Sequence, residues 1–209
     1  MIAQDSVAAF LDRLASKDPT PGGGSAAAIM GAMGAALVSM VCNVSIGKKG
    51  LEGVDAELRA IGAESERLRA HLTALIAEDV AVFGELMAAY RLPKAAEAEK
   101  AQRAAIIQHA LRRATDVPLE CARGCAAVIA LAQRSADVGF RGVVSDAGVG
   151  ALAALAALRS AALNVHINAP SIADRSYAAA ALAEIDGLVA ANREANETVH
   201  ATVLARISG

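Results

Sequence analysis

The chain has 209 residues, with 20 basic and 22 acidic side chains and a formal net charge of −2. That balance, with three Phe, two Tyr and no Trp, argues against a nucleic-acid partner, which needs a basic face and stacking aromatics. Fifty-three residues are alanine, the strongest helix former, so the expected fold is all-α and thin in aromatic core. A single domain over residues 1–209 is expected.

Ser6 can cap a first helix in which Val7, Phe10, Leu11 and Leu14 share a face. The N-terminal segment from Met1 to Leu14 carries Asp5 and Asp12 and does not read as an export signal. Pro19-Thr20-Pro21-Gly22-Gly23-Gly24 then breaks the helix. Ser25 opens an uncharged helix to about Gly47, long enough to cross a bilayer core. Its Ala, Gly and Ser content, with Ser39, Asn43 and Ser45 inside it, suits a core helix buried on all sides, so no membrane partner is expected.

A long amphipathic helix covers about Val54 to Tyr90. Val54, Ile61, Leu68, Leu75 and Val82 form one seam, and Leu58, Ser65, Leu72, Asp79 and Leu86 the other. After Pro93, a helix from about Ala95 to Ala114 precedes a fresh start or kink at Pro118, and helix continues to about Ala136. A turn at Gly139 to Gly142 leads into a second apolar helix, Val143 to Ala169. Pro170 ends it before a last helix, about Ile172 to Ile207. The expected architecture is an up-and-down-like helical bundle with two apolar central helices wrapped by amphipathic ones.

Three cysteines without a paired framework imply a reducing compartment, and Cys121 and Cys125 read as buried small residues. His71, His109, His166 and His200 make no metal-ligand spacing, and no metal is expected.

Chemistry-bearing candidates are few. The glycines at 22–24 let a backbone approach a ligand, and the Ser25 helix start offers free N–H donors; a plain tight turn explains the string equally. Lys48 and Lys49 favour the negative end of the same helix or clamp an anion. Asp79 occupies a seam position made for an apolar side chain, so it needs a partner or a raised pKa. Ser39 and Asn43, and Ser160, Asn164 and Asn168, form polar stripes on the apolar helices that bond one another or line a cavity. Asp146 reads as a helix-start carboxylate or as a second acid.

Taken together, Pro-Thr-Pro-Gly-Gly-Gly-Ser-Ala-Ala-Ala, the uncharged helix ending in Gly-Lys-Lys, and Ile-Ala-Glu-Asp-Val-Ala-Val-Phe around Asp79 resemble the formiminotetrahydrofolate cyclodeaminase and methenyltetrahydrofolate cyclohydrolase family. So do Ala-Tyr-Arg-Leu-Pro-Lys at 89–94, Val-Pro-Leu-Glu at 117–120, Ser-Asp-Ala-Gly at 145–148 and Ala-Ala-Leu-Asn-Val at 161–165. Met40-Val41-Cys42-Asn43 and Leu158-Arg159-Ser160 resemble the stand-alone bacterial cyclohydrolases. Gly50-Leu51 departs from the Lys-Tyr common in relatives.

The resemblance implies a cytoplasmic homodimer that hydrolyses 5,10-methenyltetrahydrofolate to 10-formyltetrahydrofolate, with the folate in a cleft near the subunit interface and no cofactor beyond it. The alternatives are release of ammonia from 5-formiminotetrahydrofolate, and a non-catalytic helical scaffold. Under the resemblance, Lys48, Asp79 and Asp146 are the catalytic candidates. Pro21, Gly22, Gly23, Gly24, Ser25, Asn43, Lys49, Asn164 and Asn168 are the substrate-binding ones.

Overall fold

A computed structural model describes residues 5–209; the first four residues of the N-terminal segment lie outside it. Among the described residues there are six α-helices and no strand: α1 (Val7–Leu14), α2 (Gly23–Ser45), α3 (Asp55–Tyr90), α4 (Glu97–Val138), α5 (Val144–Asn168) and α6 (Arg175–Ser208). The all-α expectation holds. Ser6 caps α1 through a bond from the Ala9 amide, and Asp174 caps α6 through the Tyr177 amide.

The two apolar helices are the centre of the bundle. α2 packs against α3 and α5, and α5 packs also against α4 and α6. α2 and α5 run antiparallel and nearly touch backbone to backbone: a Cβ on Gly34 would lie 2.7 Å from the Gly150 carbonyl oxygen. Small residues at the crossing let long helices approach this closely, replacing aromatic bulk by backbone contact. Ala35, Val38, Val41, Ala151, Ala154 and Leu158 are buried there.

Both helices are long and apolar enough to cross a membrane, yet about half of each is buried within the bundle (56% and 50% of their most apolar windows). α2 is not enclosed on all sides, as its composition suggests, because Met33 remains 56% exposed. α5 likewise keeps Val149, Leu152, Leu163 and Ile167 exposed along one stripe.

The seams of α3 behave as the heptads predict: Leu58, Ile61, Leu68, Leu72, Leu75, Val82 and Leu86 are buried. The two polar seam residues both reach α2. Ser65 donates to the Ala35 carbonyl at 2.6 Å, and Asp79 accepts from Ser25. Cys42, Cys121 and Cys125 are free and buried.

α4 departs from expectation. It runs unbroken through Pro118 for 42 residues, although proline has no N–H for the carbonyl four residues back. That carbonyl, on Ala114, instead accepts from Asn168 Nδ2 of α5 at 2.8 Å. The side chain supplies the donor that proline lacks, so the helix continues where an isolated segment would stop.

Candidate active site at the head of the apolar helices

The glycine string does more than turn the chain. α2 begins at Gly23, two residues earlier than Ser25, with Gly22 at its cap position and no capping side chain of its own. Gly23 and Gly24 are therefore inside the helix, which follows a cis Thr20–Pro21 bond and the buried Pro21. A helix start with no local cap leaves backbone donors unsatisfied. Asp79 comes from α3 to this helix start: Ser25 Oγ donates to Asp79 Oδ2 at 2.7 Å, and the nearby Ser25 amide favours the charged form of the same carboxylate.

Gly24 makes the approach possible, because a Cβ there would sit 2.0 Å from Asp79 Oδ1. Burial pushes the Asp79 carboxyl above the ordinary carboxylate range, partly opposed by the Ser25 hydroxyl and amide. The Gly24→Ala variant should therefore drive the carboxylate off the helix start. The overlap involves a half-buried side chain, so a loss of about 1–3 kcal/mol is expected, read as a lowered urea midpoint with an unchanged slope.

Asp79 stands at the head of a cleft of about 420 Å³ between α3, α4 and the end of α5. Val82, Phe83, Met87, Tyr90 and Ile167 line its apolar wall, and Asn164 and Asn168 line its polar one. A recess of about 10 Å³, room for roughly one water molecule, adjoins Asp79 and is bounded also by Gly24, Pro118, Cys121 and Ala161. Sequence patterning did not single out Phe83 and Tyr90. The usable signal was scarcity, since the two are among only five aromatics in the chain.

The remaining candidates lie at the other end of α2. Asn43 is exposed near its C-terminus, and the chain leaves through Gly47 at φ 76. Lys48 and Lys49 are exposed, with Lys48 Nζ 4.9 Å from the centre of the Phe140 ring. Asp146 is half-buried in the first turn of α5, at the same end because α5 is antiparallel; no side chain bonds the start of that helix. The 23 residues of α2 put about 33 Å between its ends.

Within the chain, then, the fold joins Gly24, Ser25, Asp79, Asn164 and Asn168, with Gly22 and Gly23 just ahead of them at the start of α2. It sets Asn43, Lys48, Lys49 and Asp146 apart from them. The lysines expected within reach of Asp79 are not there inside a single chain. Among the described residues, no three His, Cys, Asp or Glu side chains converge in a group that could hold a metal ion.

Residues 6–187 match the formiminotransferase-cyclodeaminase family, with the glycine-capped helix and its aspartate inside the matched span. This chain belongs to that family. Over its whole length it is 53% identical to a methenyltetrahydrofolate cyclohydrolase of Methylorubrum extorquens, covering all of both chains. It is 35% identical over 180 residues to the formimidoyltransferase-cyclodeaminase of Sus scrofa. That alignment takes in 86% of this chain and 33% of the pig protein, so the chain spans about a third of that relative's length. The crystal structure of a formiminotetrahydrofolate cyclodeaminase from Thermotoga maritima superposes with a TM-score of 0.87 at 29% identity, covering 98% of each chain. This chain thus shares its overall fold with that cyclodeaminase.

Proposed function

We propose that this chain hydrolyses 5,10-methenyltetrahydrofolate to 10-formyltetrahydrofolate, reversibly, as part of one-carbon metabolism. The observation that carries the reading is the 53% identity to a methenyltetrahydrofolate cyclohydrolase across the whole of both chains. The cleft gives it a chemistry. The methenyl bridge is an amidinium carbon, already electrophilic, so an enzyme needs mainly to position water and manage protons.

Asp79, fixed by Ser25 and raised by burial, takes a proton from water as its oxygen attacks the bridge carbon. The resulting carbinolamine then loses its bond to N5. N5 takes up a proton, the carbinol hydroxyl gives one up, and the formyl group remains on N10 with one proton released overall. An ammonium from Lys48 or Lys49 of the partner subunit in the homodimer proposed below stabilises the oxygen as charge develops on it. The scheme uses a carboxylate and an ammonium, with no metal and no cofactor beyond the folate. Asp146 is the alternative acid at the lysine end.

The working unit proposed is a cytoplasmic homodimer. The exposed stripe Val149, Leu152, Leu163 and Ile167 on α5 is a row of large apolar side chains that a second copy would cover. The three thiols are free, which suits a reducing compartment. A second reading, release of ammonia from 5-formiminotetrahydrofolate, is favoured by the superposition on the T. maritima cyclodeaminase.

One paired assay separates them. Loss of methenyl absorbance with 5,10-methenyltetrahydrofolate is expected to be fast, and ammonia release from 5-formiminotetrahydrofolate slow or absent. Turnover of the second substrate alone would reverse the assignment, and turnover of neither would leave a scaffold.

A further inference from the structure

The two asparagines of the cleft have their orientation fixed by chemistry. Asn168 Nδ2 donates to the Ala114 carbonyl at 2.8 Å, and Asn164 Nδ2 donates to the Ser160 carbonyl at 2.9 Å. A backbone carbonyl only accepts, so each amide must turn its NH2 toward the protein. For Asn168 the constraint is strong, because Pro118 leaves the Ala114 carbonyl without its helical donor. Among the described residues neither Oδ1 receives a hydrogen bond, and both residues line the cleft. The polar atoms they offer a ligand are thus two acceptors one helical turn apart, on the wall of a pocket whose other lining is largely apolar.

From this polarity we propose that Asn164 and Asn168 read the donor edge of the substrate. On a reduced pterin that edge is the 2-amino group with the neighbouring N3–H. Asn168 is then a specificity-determining residue, and Pro118 a positioning residue that holds its amide in the reading orientation. The inference rests on the folate reading of the cleft and goes beyond it by naming the part of the ring that is recognised. Asp79 is left free to face the one-carbon bridge.

The test compares 5,10-methenyltetrahydrofolate with its 2-desamino-2-methyl analogue, which lacks the amino donor. Wild-type enzyme should prefer the amino form by about tenfold or more in kcat/KM, the effect of one lost hydrogen bond with an acceptor left unpaired. Asn168→Leu should abolish most of that preference, through a raised KM for the amino form more than a lowered kcat. That variant also strands the Ala114 carbonyl, so it should melt at lower temperature.

The double variant Pro118→Ala, Asn168→Leu restores an N–H to that carbonyl from the helix itself. It is compared with Pro118→Ala alone. Thermal stability should recover in the double variant while the preference stays lost. If the preference returns together with stability, Asn168 only satisfies the carbonyl and the proposal is overturned. It is overturned as well if wild type turns over the methenyl substrate but treats the two folates alike. Failure of the folate reading gives a different pattern: no turnover of methenyltetrahydrofolate and no calorimetric binding of either folate.

Discussion

Asp79→Asn should lower kcat/KM for methenyl hydrolysis by about 10²- to 10⁴-fold, the range for removing a positioned general base, while the protein stays folded. The contrast arises because the side chain does two jobs. Its oxygen receives the Ser25 hydroxyl at an otherwise uncapped helix start, and an asparagine oxygen can receive it too. Only the aspartate can take a proton from water. If Asp79→Asn keeps wild-type turnover, the carboxylate is a helix cap and nothing more. A far-ultraviolet spectrum matching wild type shows that any loss is chemical.

The pH dependence follows from the same burial. Desolvation raises the Asp79 carboxyl above its ordinary value, so the acid limb of kcat/KM should lie above the usual carboxylate region near ~4 and vanish in the asparagine variant. For stability the sign is fixed by the raised folded value. The native state holds the proton more tightly than the unfolded chain, so this contribution is present below the unfolded pKa and is lost as pH rises through the folded one. The melting temperature of Asp79→Asn relative to wild type should therefore move upward between pH 4 and pH 8. A relative shift in the other direction would show that ionised Asp79 is stabilised where it sits, and a base with a lowered pKa would have to replace it in the scheme.

The all-α fold was legible because helical periodicity is local: the seam of α3 from Leu58 to Leu86 could be counted from residue types, and Asp79 stood out as a charge in an apolar column. Ser65 in the same seam was legible only as polar, since its partner, the Ala35 carbonyl, belongs to another helix. Of the fresh start or kink expected at Pro118, the fresh start does not occur, for the same kind of reason. Whether a proline ends a helix depends on whether some other group can serve the freed carbonyl, and Asn168 lies 54 positions away. Gly24 illustrates the converse: the sequence shows that backbone can come close to something, and the fold shows that the something is Asp79. What the pattern could not weigh was distance along a straight helix. Asn43, Lys48 and Lys49 follow the glycine string closely in sequence, yet α2 turns 23 residues into about 33 Å.

Mixing two inactive variants, Asp79→Asn and Lys48→Met, should regenerate activity. The reason is the separation just described together with the two-fold symmetry of the homodimer proposed above. In such a homodimer, a two-fold axis passing beside the middle of α2 and perpendicular to it would set each end of the helix near the opposite end of its partner, bringing the lysine end of one copy toward the cleft of the other. A site assembled that way takes Asp79 and the asparagines from one subunit and Lys48 from its neighbour. The exposed apolar stripe of α5, which is antiparallel to α2 and runs from Val149 to Ile167, is the surface that would close over the axis. Each homodimer of a single variant carries two damaged sites. In a randomly reassorted mixture about half of the dimers are mixed, and each mixed dimer has one site with both residues intact and one lacking both. Activity should return to about a quarter of wild type, after brief denaturant-assisted exchange and not before it. A mixture that stays as inactive as its parents, in dimers shown by mass spectrometry to have exchanged, would put both residues in the same subunit's site or remove Lys48 from the reaction. The lysine would then be left to its place over the Phe140 ring at the end of α2.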